Sequence, residues 1–251
     1  MPKTVLITGA TSGIGKATAE AFAKEGMNIV LCGRRGERLK ALSEALGKST
    51  RVTTLNFDVR DRKAVSASID SLQSPFSEID ILVNNAGNAH GLDMAERANL
   101  DDWDAMIDIN VKGLLYVTKA VMPTMVKRNT GHIINIGSLA GKEVYAKGNV
   151  YCASKHAVDA INQGLRIDLN AYNIRVGAIN PGLVETEFSE VRFKGDKDRA
   201  KTVYQGYEPL RAQDIAEIIL FVVTRPMHVN IADLLVLPSA QASSTLVKKV
   251  L

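Results

Sequence analysis

Seven short apolar runs recur along the chain, separated by longer segments whose apolar residues return at helical spacing. The runs "KTVLITG", "NIVLCG", "RVTTLNFDV", "IDILVNNAG", "HIINIGS", "IRVGAINPG" and "ADLLVLP" are rich in Val, Ile and Leu and close on polar, Gly or Pro residues. Each reads as a buried strand. Between them, Ile14 to Glu25, Gly36 to Leu46, Arg62 to Leu72, Asp101 to Val126, Val150 to Tyr172 and Arg211 to Thr224 have the length and period of helices. Val- and Ile-rich strands that take turns with helices predict a Rossmann-type doubly wound α/β fold: a seven-stranded parallel sheet with helices on both faces. No repeat, low-complexity tract or Pro/Gly/Ser linker divides the chain, so one domain over 1–251 is expected. The rhythm breaks once, at Glu185 to Glu208, "ETEFSEVRFKGDKDRAKTVYQGYE". A charged insertion of that length beside a ligand crevice predicts a substrate lid.

In an open parallel sheet, ligands bind beyond the carboxyl ends of the strands, so the residues just after each strand carry the functional reading. After the first run comes "TGATSGIG", Thr8 to Gly15, leading straight into a helix. Gly9, Gly13 and Gly15 permit a tight turn and a close backbone approach. The N–H groups around Thr11, Ser12 and Ile14, with the helix dipole, then suit a pyrophosphate. After the second run, the position for an acid that would hydrogen-bond a ribose 2′-hydroxyl holds none; Arg34 and Arg35 stand there instead. Two guanidinium groups match a 2′-phosphate by charge and by bidentate geometry, which favours NADP(H), with Glu37 close enough to allow some NAD use. Asp58 and Val59, after the third run, suit an adenine amino group and ring, while Asp61 suits a helix cap. Asn84 to Gly87, "NNAG", brings Asn85, Ala86 and Gly87 against a cofactor, with the Asn side chains bracing neighbouring loops. Pro181 and Gly182 bend the chain after the sixth run, and Val184 and Thr186 are suited to a nicotinamide carboxamide.

Ser138 follows the fifth run, and Tyr151 and Lys155 stand four apart in "YCASK". That spacing puts a phenol and an ammonium on one helix face, where with the Ser138 hydroxyl they can converge on one substrate oxygen. Other chemistry finds less support. Lysines and arginines number 31 against 27 acids, a formal charge of +4, and are scattered, which argues against nucleic-acid binding. Cys32 and Cys152 form no C-x-x-C pair, and His90, His132, His156 and His228 lack metal-ligand spacing, so no metal is expected. No apolar run approaches the ~18 residues of a membrane span. "MPK" leads directly into a strand without a signal-peptide pattern, so a cytoplasmic protein is expected.

Taken together, these motifs resemble the short-chain dehydrogenase/reductase family along essentially the whole chain. They are T-G-x-x-x-G-x-G at Thr8 to Gly15, N-N-A-G at Asn84 to Gly87, Asn110, Ser138, Y-x-x-x-K at Tyr151 to Lys155, and P-G at Pro181. "WDAMIDINVKGLLYVT", "GHIINIGSLAGKEVYAKGNVYCASK" and "PGLVETEFSEVRFKGD" are similar to its NADP-dependent 3-hydroxy acid dehydrogenase subgroup, which includes serine and allo-threonine dehydrogenases. The resemblance implies reversible oxidation of a 3-hydroxy acid, with malonic semialdehyde reduction in some members, and a homotetramer.

In that reaction Tyr151 is expected as acid/base, with its pKa lowered by Lys155, which the resemblance also assigns to the nicotinamide ribose. Ser138 is expected to orient the substrate oxygen, and Asn110 to hold a water of a proton relay. Arg192 or Lys194 is the candidate partner for a substrate carboxylate. Tyr145 has no lysine four residues on and reads as a bystander. A broad carbonyl or polyol reductase would share these catalytic residues and differ in its pocket lining, while a non-catalytic NADP-binding sensor would have no need of them.

Overall fold

The computed structural model describes residues 2–250. Its strands are β1 (Thr4–Thr8), β2 (Asn28–Gly33), β3 (Val52–Asn56), β4 (Ile81–Asn84), β5 (Gly131–Ile136), β6 (Ile174–Pro181), β7 (Val184–Glu185), β8 (Leu210–Arg211) and β9 (Asp233–Val236). The principal helices are α1 (Gly13–Lys24), α2 (Gly36–Leu46), α3 (Arg62–Asp70), α4 (Leu100–Ile107), α5 (Leu114–Arg128), α6 (Asn149–Leu169), α7 (Phe188–Arg192), α8 (Lys197–Thr202) and α9 (Ala212–Val223).

Seven strands form the expected sheet in the order β3-β2-β1-β4-β5-β6-β9, with every pairing parallel. Strands β1, β4, β5 and β6 are buried along their whole length because helices cover both faces. Successive side chains point to opposite faces. Val5, Ile7, Ile29, Leu31 and Val83 therefore pack with Phe22 of α1, Leu39 of α2 and Ile219 of α9. Leu6, Val30, Leu82 and Ile133 pack with Val65 of α3 and with Val117, Val121 and Met125 of α5. Burying such a side chain contributes about 1.5–3 kcal/mol, so two apolar layers select strands that are apolar at every position. The order reverses between β1 and β4, and at this switch point a crevice opens beyond the strand ends.

Two features depart from the sequence reading. The helix expected over Asp101 to Val126 is instead α4, a π-helical turn at Asp108–Gly113 and α5. Apolar periodicity does not register a single widened turn, and such turns concentrate at functional sites; this one contains Asn110. The charged segment after β6, expected as a lid, also carries elements that its apolar pattern did not predict. Its β7 pairs in parallel with β8, and α7 and α8 lie between them.

Candidate functional site

The glycine-rich turn joins β1 to α1, with Gly9 and Gly13 at φ +65° and +51°, where a side chain would be strained. Ser12 caps α1 without a side-chain bond to its N–H groups, and the first turn has no acid, so those donors remain available to an anion. Gly9, Thr11, Ser12, Gly13 and Ile14 line a cavity of about 580 Å³ that runs across the switch point. Gly15 is not in its wall. A Cβ there would collide with Asn85 and the Gly9 carbonyl, so Gly15 packs the turn from behind.

The same cavity is lined by Arg34, Arg35, Asp58, Val59, Asn85, Ala86, Gly87, Ser138, Tyr151, Lys155, Pro181, Gly182, Val184, Thr186 and Arg192. Residues scattered over most of the sequence thus meet in one crevice that begins at the glycine-rich turn and ends at Tyr151. The cradle fits a dinucleotide in shape and in donors. Asn85 Nδ2 donates to the Thr8 carbonyl at 2.8 Å, and the Thr8 hydroxyl accepts from the N–H groups of Asn85 and Ala86 at 3.0 and 2.9 Å. These bonds lock the loop after β4 to the loop after β1. Asn84 braces from deeper inside: its Nδ2 donates to Thr118 and to Asn135 Oδ1, and Asn135 Nδ2 passes the chain on to Asn162.

Beside the glycine turn, Arg35 donates to the Thr11 hydroxyl from Nε and Nη2 at 3.0 and 2.8 Å, and from Nη2 to Ser12 at 2.7 Å. Arg34 pairs with Asp58 at 3.4 Å. The Asp58 carboxylate also accepts from the Arg60 backbone and guanidinium, the shortest contact being 2.7 Å. Partial burial pushes the Asp58 carboxyl up, but the Arg60 hydrogen bonds and the charges of Arg34 and Arg60 outweigh it and hold the group below its ordinary value. Asp58 is therefore braced by two arginines, whereas the sequence offered it only an adenine amino group. The acid that meets Arg35 is Glu187, 2.8 Å away in the charged segment; Glu37 is exposed on α2 and does not line the cavity.

Tyr151 is buried, its ring centroid 5.7 Å from that of Phe188. Burial raises its phenol well above the ordinary range, with a further push from Tyr145, while the Ser138 hydroxyl and the charge of Arg192 favour the phenolate. Lys155 is also buried, which pulls its ammonium down to about 8, and Nζ donates to the Ile136 carbonyl at 2.9 Å. The cation over the Tyr151 ring is Arg192, its guanidinium carbon 5.4 Å from the centroid, while the Lys155 ammonium, one helical turn on from Tyr151, is anchored to the end of β5.

Asn110 lies behind the cavity wall. Its Nδ2 donates to the Asn88 carbonyl at 2.8 Å and to Ser154 Oγ at 3.0 Å, and its Oδ1 accepts from Asn88 N–H at 2.9 Å. Both amide donors are thus spent on bracing, and Ser154 in turn donates to the Tyr151 carbonyl at 2.7 Å. Of the two proposed carboxylate partners, Lys194 is directed away to Asp102 at 2.9 Å, and only Arg192 lines the cavity.

Three residues of the site escaped the sequence reading. Tyr145 accepts from Arg192 Nη2 at 2.9 Å; Gln241 accepts from Leu183 N–H at 2.9 Å and fixes the bend after Gly182; Glu187 pairs with Arg35. Each works through a partner more than 45 residues away, and local spacing carries no trace of it. Among the described residues no cluster of His, Cys, Asp or Glu could hold a metal ion, and no helix is long and apolar enough to cross a membrane.

The family described as short chain dehydrogenase matches residues 3–197. The chain is 48% identical over 239 residues to NADP-dependent 3-hydroxy acid dehydrogenase YdfG of Escherichia coli (strain K12), covering 95% of this chain and 96% of that protein. It is 46% identical over 245 residues to sulfoacetaldehyde reductase 2 of Chromohalobacter salexigens, with 97% of each chain covered. Among solved structures, the closed form of a serine dehydrogenase complexed with NADP+ superposes with a TM-score of 0.93 at 46% identity, over 99% of this chain and 100% of that one.

Proposed function

This chain belongs to the short-chain dehydrogenase family and is an NADP-dependent oxidoreductase acting on CH–OH groups, and on that premise we propose that its substrates are small 3-hydroxy acids, oxidised reversibly at the hydroxyl-bearing carbon. Serine, allo-threonine and 3-hydroxypropionate, or malonic semialdehyde in reverse, are the type. The observation that carries the reading is Arg192, a cation standing over Tyr151 in the cavity that begins at the glycine turn. A neutral alcohol has no use for that guanidinium, whereas a carboxylate forms a charge-assisted pair with it.

Bound NADP supplies the hydride acceptor. Ser138 holds the substrate oxygen, and Tyr151 takes its proton during oxidation and returns one during reduction. Burial works against the phenolate, so Tyr151 depends on positive charge and on the Ser138 hydrogen bond to act as a base near neutral pH. Lys155 serves the ribose side of the coenzyme and adds positive charge, and Asn110 stiffens the π-helical turn behind it. Segment 185–208 acts as the lid of a single domain spanning 1–251. The protein works in the cytoplasm as a homotetramer, a state that agrees with exposed apolar side chains such as Ile167, Phe221 and Leu246.

A sulfonate also pairs with a guanidinium, and the 46% identity to a sulfoacetaldehyde reductase supports a second reading in which the anion is a sulfonate. Initial rates with NADP(H) across 3-hydroxy acids, a 2-hydroxy sulfonate, sulfoacetaldehyde and neutral diols test both. Preference for the carboxylates supports the first reading, preference for the sulfonates supports the second, and preference for neutral diols defeats both in favour of a broad polyol reductase.

A further inference from the structure

Two arginines one turn apart at the start of α2 close on a single carboxylate from the lid. Glu187 Oε2 accepts from Arg35 Nη1 at 2.8 Å, and Oε1 accepts from Arg38 Nη1 at 2.8 Å, with Arg38 Nη1 also 3.1 Å from Oε2. Arg35 has little else to offer, because its Nε and Nη2 are already held by Thr11 and Ser12. Nη1 is the free prong of the fork, and Glu187 takes it. Burial pushes the Glu187 carboxyl up, but hydrogen bonds from Arg35 and Arg38 outweigh this and keep it below the ordinary range, so it is an anion at neutral pH.

A carboxylate spanning two guanidiniums presents the charge and the oxygen spacing of a phosphate edge. The 2′-phosphate of NADP, directed to Arg35, meets this like charge at the only nitrogen left to receive it. Resting on the coenzyme reading above, we infer that Glu187 is a resident stand-in for the 2′-phosphate: the phosphate displaces it and takes over Arg38 as well as Arg35. The side chains of Glu187, Arg35 and Arg38 are 42%, 41% and 51% exposed. A pair so open to water is weak, and a dianion with better geometry displaces it. The exchange reaches the substrate end because Glu187 directly precedes Phe188, which packs on Tyr151, and α7 ends at Arg192. NAD(H), lacking the phosphate, leaves the carboxylate in its seat. Glu187 is thus a coenzyme-discriminating residue that joins the phosphate site to the lid.

A purely structural role for Glu187, holding the arginines in position, predicts the opposite sign, and calorimetric titration of the full chain decides between the two. Adenosine 2′,5′-bisphosphate and adenosine 5′-monophosphate serve as probes with and without the 2′-phosphate, alongside NADPH and NADH. Glu187→Gln, nearly isosteric, is expected to bind the bisphosphate and NADPH about fivefold tighter, the scale of one exposed ion pair, with NADH and the monophosphate unchanged. Glu187→Ala must move in the same direction. Arg38→Gln must weaken NADPH and spare NADH. Unchanged or weaker bisphosphate binding in both Glu187 variants, equal tightening for both probes, or Arg38→Gln that leaves NADPH binding intact overturns the inference. Absence of any NADPH preference in the unaltered protein is a separate result and defeats the coenzyme reading itself.

Discussion

The Tyr145 hydroxyl accepts a hydrogen bond from Arg192 Nη2 at 2.9 Å, tying the cavity-facing cation of the charged segment to the loop between β5 and α6. A second tie is made by the main chain, where Gly91 N–H donates to the Arg192 carbonyl at 3.0 Å and Arg192 Nε donates back to the Gly91 carbonyl at 3.3 Å. The guanidinium is thereby held over Tyr151 with part of its donor fork still available.

Arg192→Ala removes the proposed anion partner. A hydrogen bond to a charged group is worth about 1.5–3 kcal/mol, so KM for 3-hydroxy acids should rise about ten- to hundredfold, with neutral diols little affected. Tyr145→Phe should raise the same KM only a few-fold and leave kcat in place, because it loosens the guanidinium without removing it. Steady-state kinetics on both variants checks this, and equal losses on acids and diols would count against an anion site.

Tyr151→Phe keeps the ring that packs on Phe188 and deletes the proposed proton carrier. NADPH affinity should be retained while kcat falls by about 10²–10⁴, the usual contribution of general acid–base catalysis. Fluorescence titration of NADPH beside turnover measurements separates the two effects, and appreciable residual turnover would remove Tyr151 from its role.

Asn135→Ala breaks the buried amide chain in the middle. One N–H of the Asn84 amide loses its acceptor, the other keeping Thr118, and Asn162 Oδ1 loses its donor, in a site where Asn135 is wholly buried. Each orphaned polar group costs about 1–3 kcal/mol, so a loss of about 3 kcal/mol in unfolding free energy is expected. Urea unfolding measures it, and a loss near zero would show that the network contributes nothing to stability.

Lys155 gives a pH signature with a definite sign. Its pKa falls from an ordinary 10.5 to about 8 in the fold through burial, so between those values the folded chain binds fewer protons than the unfolded one. Stability contributed at this position therefore rises with pH across that window, by about 3 kcal/mol for a shift of this size, and the cost of burying the ammonium is fully present below it. The difference in unfolding free energy between the unaltered protein and Lys155→Met, taken at pH 8 and pH 10.5, should widen in favour of the unaltered protein. A difference that stays constant would mean that the ammonium is not depressed.

What could be read from the chain alone was whatever short-range physics encodes. Uninterrupted Val and Ile runs marked doubly covered strands because both faces of a parallel sheet must be apolar. Gly9 and Gly13 marked the turn because their positive φ excludes ordinary side chains, and the four-residue step from Tyr151 to Lys155 marked one helix face because it is about one turn. Arg34 and Arg35 declared their charge by position after β2. Tertiary packing decided the rest, since it depends on which distant groups meet. It separated Arg192 from Lys194 by giving the latter to Asp102, turned Tyr145 from a bystander into a partner of Arg192, and sent the Lys155 ammonium to Ile136. It also brought Glu187 to an arginine 152 positions earlier in the chain. Helical and strand periods fix the direction of a side chain relative to its own element; what faces it across the crevice follows from how nine helices and nine strands pack among the described residues.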